Sequence, residues 1–336
     1  MPDFLISALY LEGVDMMTSK KTIRVYKIGG GIRAVPHNLL IDIRRNPILY
    51  LLLGIILLYF LIFNYAPMVG LVMAFEDYSP AKGIFQSRWV GLHNFEVFFS
   101  GPFVGRLIRN TVWIGLLDLV VNFPAPIIFA LLLNEIHQKA FKKVVQTISY
   151  MPYFISAVVA CGMVISFTQS GGVISQLFAF AFDGKSVNLL NEKSWYRPIY
   201  ILQNTWQGLG YGSIIYLAAL SGIDQGLYDA AECDGAGYVR KMWHVTLPGI
   251  TSTIVMMFIL RMGVVFSVGA DKTLLLYSAA NYEVSDIINT YVYRMGMEQQ
   301  DYGLSTAVGL FNSIIGTIML VSSNQVLKKL TGSGMF

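Results

Sequence analysis

Six long apolar runs, at 47–75, 110–133, 146–169, 198–223, 249–270 and 304–327, decide what this chain can fold into. Each is close to or above the roughly 20 residues that a helix needs to cross a hydrocarbon core of about 30 Å. A buried helix of a soluble protein keeps a polar stripe at helical spacing, whereas these runs are apolar nearly all round. Within lipid a spanning segment must satisfy its own backbone amides, and at this length that means helix. Composition agrees, since 55% of the 336 residues are apolar and 13% are charged, about half the roughly 25% charged share of a soluble domain. The expected fold class is an all-α integral membrane protein with six transmembrane helices. Pro67, Pro124, Pro126 and Pro152 fall in or beside these runs and predict kinks or helix ends there.

Lysine and arginine orient the bundle. With the amino terminus inside, the inner segments (1–46, 134–145, 224–248, 328–336) carry 14 of them and the outer segments (76–109, 170–197, 271–303) carry 9. Lys139, Lys142 and Lys143 crowd one short inner loop, and the tail before the first run is strongly basic, so both termini are expected in the cytoplasm. The first residues, MPDFLISALYLEGVDMMTSKK, start acidic and lack a small-residue cleavage site, so no signal peptide is read. Met16 or Met17 is an alternative start to Met1.

Other chemistry is sparse. Cys161 and Cys233 offer no spaced framework for disulfides or zinc. His37, His93, His137 and His244 are scattered through tails and loops, with no catalytic or metal-ligating cluster. No Gly-x-x-x-x-Gly-Lys-Ser/Thr string occurs, and GGG at 29–31 lacks the Lys and helix of a phosphate loop, so the chain is not expected to hold ATP itself. No segment recurs as a second copy, the usual mark of a secondary transporter. A secondary transporter and a membrane receptor or scaffold stand as the alternative functions.

Against this background the inner segment YDAAECDGAGYVRKMWHVTLPG (228–249) stands out. Asp224 is placed to cap a short helix, Asp234 and Gly235 to turn the chain, and a second short helix follows, stopped at Pro248. Ala230, Ala231, Gly235, Ala236 and Gly237 leave a nearly bare surface at the bend, flanked by Leu227, Met242 and Trp243 as apolar anchors. An ordinary solvated loop between spans is the rival reading, and small residues concentrated at a capped bend favour a docking surface for a partner.

The segment resembles the EAA motif of permease subunits of binding-protein-dependent ABC importers. Asp229 stands for the family's Glu, Ala230 and Ala231 match, Asp234, Gly235 and Ala236 match, and Leu247 with Pro248 close the motif. Asp229 for Glu and Met242 for the usual Phe are departures that keep charge or bulk. Further strings, among them NYAPMVGLVMAFEDYSPAKGIF, VGLHNF, RLIRNT, FPAPIIFALLLNE, SYMPYFIS and NTYVYRMGM, are similar to the sugar-permease branch that imports oligosaccharides and polysaccharide fragments. Within it they resemble alginate-oligosaccharide importers, and pectin-fragment or other complex-glycan importers match nearly as well.

The resemblance implies a type I ABC importer permease fold in the bacterial cytoplasmic membrane, with a permease domain over 47–327, tails at 1–46 and 328–336, and a cytoplasmic coupling loop at 224–248. It implies a second homologous permease, two ATP-binding subunits that hold the ATP and Mg, an extracytoplasmic solute-binding protein and an oligosaccharide substrate. The chain itself would be non-catalytic and bind no cofactor or metal. Asp118 and Arg261 lie inside spans, where a charge costs about 2.5–3.5 kcal/mol. They are read either as substrate contacts or as an ion pair. The fourth run mixes amides and aromatics, and Gln203, Asn204, Trp206 and Tyr211 are candidates to line a saccharide path. Helix packing through its glycines is the rival reading. In the outer segment 271–303, Asp271, Glu283, Asp286, Arg294 and Glu298 are candidates to dock the solute-binding protein.

Overall fold

A computed structural model describes residues 43–181, 184–267 and 269–332. The basic tail and the alternative starts lie outside these residues. The chain falls into two compact units, Met1–Pro67 and Met68–Phe336, and each is described by itself. The first contains α1 (Pro47–Phe60), which opens on a proline whose missing N–H costs nothing in a first turn. A π turn, Leu61–Tyr65, follows it.

The second unit opens on 3-10 backbone that ends at Phe75, followed by a short ribbon, β1 (Glu76–Asp77) antiparallel to β2 (Arg88–Trp89), held by Phe75 stacked on Trp89. The rest is helical: α2 (His93–Ser100), α3 (Val104–Asn122), α4 (Pro124–Asn134), α5 (Lys139–Tyr150), α6 (Ala157–Thr168), α7 (Val173–Ala181), α8 (Lys193–Ser221), α9 (Gln225–Cys233), α10 (Tyr238–Lys241), α11 (Thr251–Gly263), α12 (Ala270–Leu276), α13 (Tyr282–Ser285), α14 (Ile288–Tyr293) and α15 (Tyr302–Thr331).

Among the described residues four helical stretches have the length and apolarity to cross a membrane: Pro47–Phe75, Val104–Asn134, Ala157–Ala181 and Tyr302–Leu330. A fifth is made if Tyr238–Gly249 and Thr251–Gly263, which meet at 61°, form one broken span. Helix α8 has 29 residues, about 43 Å at 1.5 Å per residue. It is long enough to cross and more polar than the rest because Gln203, Asn204 and Gln207 lie in it. The exterior is apolar, with Val120, Leu132, Leu202 and Ile318 each at least 60% exposed, a surface that water would not tolerate and lipid does.

Two runs differ from their expected form. The third, expected as one helix over 146–169, breaks where α5 gives way to a 3-10 turn, Met151–Phe154, that contains Pro152. Ile155 is extended, and Ser156 restarts the helix by accepting a hydrogen bond from the Val159 N–H (3.3 Å). The helix approaching the fifth run was expected to stop at Pro248, but Pro248 lies inside a short turn, Leu247–Gly249, and the bend falls at Ile250. A π turn, Met242–Thr246, precedes it.

Three apolar clusters hold the unit together, around Tyr196 and Tyr200, around Phe98 and Val308, and around Tyr216 and Ile250. At Gly210 the backbone of α8 comes so close to α5 that a Cβ would collide with the Ser149 carbonyl. Polar order matters as much. Asp286 is fully buried and accepts from Arg294 through both oxygens (2.9 and 3.1 Å), from Arg106 (2.9 Å) and from Thr290 (2.8 Å). Asn110 donates to the Glu283 and Asp286 carbonyls (3.0 and 2.9 Å) and accepts from Arg197 (2.9 Å). Replacing Asp286 by Ala strands two guanidinium groups against an apolar interior, so its stability should fall by about 3–5 kcal/mol. Thermal melting of the detergent-solubilised protein would show this as a large drop in midpoint. A wild-type midpoint would mean that the cluster does not hold the helices together.

Candidate functional site

The longest helix builds most of the site. Positions 204, 208, 212 and 216 of α8 recur every four residues, so Asn204, Gly208, Gly212 and Tyr216 form one stripe along it. That stripe walls a cavity of about 610 Å³, completed by Asp118 and Asn122 from α3, Tyr153 from the break in the third run, Arg261 from α11, and Asp271 and Lys272 from α12.

Its polar groups form one chain of bonds. Asp118 pairs with Arg261 through one carboxylate oxygen and accepts from Asn122 (2.8 Å) and Asn204 (3.2 Å) through the other. Asn204 accepts in turn from the Lys272 ammonium (2.7 Å), and Thr205 donates to Asn122 (2.5 Å). Gln207 donates to the Ile155 carbonyl (2.7 Å), which the break before α6 takes out of the helical ladder. A freed carbonyl at membrane depth needs such a partner.

The sequence candidates therefore divide. Asp118, Asn204 and Arg261 meet on the cavity wall, Asp118 and Arg261 as the ion pair that was one of their two readings. Gln203, Trp206 and Tyr211 are absent from that wall. Gln203 is buried against Gln207 (3.2 Å), and Trp206 is 41% exposed on the outside of the helix. Tyr211 reaches the cavity indirectly, stacked on Tyr153 with ring centres 3.7 Å apart. Lys272, Asn122, Thr205 and Tyr153 were missed. Lys272 was hidden by its neighbours, since it reads as the start of an outer loop.

The outer candidates also divide. Asp286 is fully buried and Arg294, paired with it, is mostly so, and Asp271 faces the cavity. Glu298 is exposed. Glu283 is exposed too and pairs with Lys193, whose hydrogen bond and charge hold its carboxyl below the usual range.

The inner segment is built as its sequence requires. Asp224 caps α9 by accepting from the Gly226 N–H (2.9 Å). The helix ends in a Schellman turn, with Ala236 N–H to the Ala231 carbonyl (2.9 Å), Gly235 N–H to the Glu232 carbonyl (3.0 Å), and Gly235 at φ +70°. Two bonds brace the turn into one body, Tyr228 to Thr246 (3.1 Å) and Lys241 to Glu232 (3.1 Å). Asp229, Ala230, Asp234, Gly235 and Pro248 are exposed, Ala231, Ala236, Met242 and Leu247 are partly so, and Leu227 and Trp243 stand out beside them at 54% and 61%. A bare, small-residue face between apolar anchors is the form a protein partner can seat on.

Comparison with known proteins agrees with this geometry. Residues 122–331 match the family described as binding-protein-dependent transport system inner membrane component. The chain is 42% identical over 324 residues to Protein LplB of Bacillus subtilis, covering 96% of this chain and 100% of that one. It is 44% identical over 299 residues to the polygalacturonan/rhamnogalacturonan transport system permease protein YteP of the same organism, covering 89% and 93%. In structure it is similar to a chain of a bacterial ABC transporter involved in the import of the acidic polysaccharide alginate, with a TM-score of 0.80 and 37% identity over 88% of this chain and 99% of that one.

The Asp118 and Arg261 pair can be weighed directly. Arg261→Gln leaves a mostly buried carboxylate without its cation and should lower the melting midpoint, while adding Asp118→Asn should restore part of the loss. The expected coupling is about 1 kcal/mol, below that of a fully buried pair because Arg261 is 41% exposed. Strictly additive single losses would mean that the pair contributes nothing.

Proposed function

Because the chain belongs to the inner membrane components of binding-protein-dependent transport systems, we propose that it carries uronate-containing oligosaccharides through a path shared with a second permease. It is the membrane-spanning, non-catalytic subunit of an ABC importer for sugars. A second permease, ATP-hydrolysing subunits that hold the nucleotide, and a solute-binding protein complete that importer. The observation that carries the cargo reading is the nature of its relatives. One is named for polygalacturonan and rhamnogalacturonan transport and another for alginate import, so two well-covered neighbours handle acidic polysaccharides. The cavity is of compatible chemistry: amides and tyrosines for hydroxyl groups and C–H faces, and cations among them.

The loop 224–248 is the coupling element in this reading. Asp229, Ala230, Ala231, Asp234, Gly235, Ala236, Met242, Leu247 and Pro248 form the face on which an ATPase subunit seats. Closure of the ATPases moves that face, and the spans tilt so that the cavity opens alternately outward and inward. The loop, both termini and the tails at 1–46 and 328–336 lie on the cytoplasmic side, and 47–327 form the permease domain in the cytoplasmic membrane. This chain contributes no cofactor of its own. Glu283 and Glu298 are what remains of the outer acidic face for the solute-binding protein.

Two experiments test these assignments. In the reconstituted importer with its binding protein, uronate oligosaccharides should stimulate ATP hydrolysis more than neutral ones of matched length, and stimulation by neutral sugars alone would overturn the cargo reading. Gly235→Trp forces a side chain onto a left-handed residue, at about 1–2 kcal/mol of strain, and fills the bare face. Import should fall about tenfold, equivalent to ~1.4 kcal/mol of lost coupling, while ATP is still hydrolysed. Wild-type uptake by this variant would sink the coupling role.

A further inference from the structure

We infer that Lys272 is the residue that reads a carboxylate on the cargo, and that Asn204 is positioned to keep its ammonium charge available; this rests on the uronate reading above. Four charged side chains stand on the cavity wall, Asp118, Arg261, Asp271 and Lys272. Asp118 is spent: its two oxygens already take Arg261, Asn122 and Asn204, and its charge is cancelled by Arg261. Arg261 is held in the same pair. Asp271 is exposed and makes no ion pair with Lys272 among the described residues, in the first turn of α12, where the helix dipole suits a carboxylate. Lys272 is different. An ammonium carries three donors, and among the described residues its hydrogen bond is to the neutral amide oxygen of Asn204 (2.7 Å).

Geometry explains why an amide stands there. Asn204 accepts from Lys272 with its oxygen and donates to Asp118 with its nitrogen. It thereby aims the ammonium while standing between it and the nearest carboxylate. An aspartate at 204 would have much the same shape and would satisfy Lys272 internally. The amide leaves a partly buried cation, fixed in direction and short of an anion, at the edge of a cavity large enough for part of an oligosaccharide chain. A uronate carboxylate supplies what is missing, as a charge-assisted hydrogen bond that a neutral sugar hydroxyl matches poorly. Because the Arg261 charge is already offset by Asp118, selectivity for acidic cargo falls on Lys272.

The test uses the whole importer in proteoliposomes, both permeases with the ATPase subunits and the binding protein, and follows uptake of a labelled tetragalacturonate. Lys272→Gln should lower uptake at limiting cargo by about tenfold or more, the loss expected when one charged partner is removed from a hydrogen bond. Lys272→Arg should recover most of it. Asn204→Asp should also lower uptake, because it places a carboxylate against the ammonium and, in place of the amide donor, beside Asp118. Should Lys272→Gln fail to assemble, Asn204→Asp carries the test alone. Wild-type uptake by Lys272→Gln or by Asn204→Asp overturns the role of Lys272 while leaving the cargo reading intact. A wild-type importer that takes up no uronate oligosaccharide overturns the cargo reading and this inference with it.

Discussion

Asp286 has no access to solvent and sits between two guanidinium groups, and one end of the bundle is assembled around it. Arg106 reaches it from α3, and Arg294 and Thr290 from the segment around α14. Asn110 and Arg197 extend the cluster to α8. A carboxylate in such a place is tolerable only when both cations are present, so these helices are held in one register or not at all. The cavity inherits that register. Asp118 lies further along the same α3 and Asn204 further along the same α8, and their hydrogen bond requires the two helices to keep their alignment.

Lipid imposes the same rule at the cavity. Polar groups turned outward would meet hydrocarbon, so the amides and charges of α3, α8 and α11 are turned toward one another. The result is a chain in which Asp118, Asn122, Asn204, Thr205 and Arg261 bond to one another, with the Lys272 ammonium joined to it through the Asn204 amide. A path built this way resists collapse. It also discriminates, because an incoming sugar must offer bonds at least as good as those it displaces.

What could be read in the sequence was what is decided locally. The Asp224 cap and the Asp234–Gly235 turn depend on neighbours within a few residues, and each appears in the structure as its residues require. Pro152 marked a break, although the extended Ile155 and the restart at Ser156 were not visible in an unbroken apolar run. Pairings across long separations were harder. The ion pair of Asp118 with Arg261 could be anticipated because two opposite charges inside spans have few other solutions. Asp286 and Arg294 were read as exposed loop residues because nothing nearby in sequence announces Arg106. Helix phase was the remaining gap: Gln203 and Trp206 have the right chemistry for a sugar path, but Asn204 sets the inward face, and one residue turns a side chain by about 100°.

The same helix that lines the cavity also leads to the loop. Helix α8 ends at Ser221, and Asp224 caps the next helix after only a short turn. The loop beyond is braced by its Schellman turn and by the Tyr228 and Lys241 bonds, so displacement of its exposed face moves it as a unit. Between the two functional ends, Gly210 lies against Ser149 without room for a side chain. That contact lies about 9 Å along α8 from Asn204 and about 16 Å from Ser221. Asn204 bridges Asp118 and Lys272 through single hydrogen bonds of 3.2 and 2.7 Å. A shift of an ångström or so would break that bridge and change what the cavity offers a bound sugar. In the proposed coupling, α8 is therefore the element that joins the inner loop to the wall of the path.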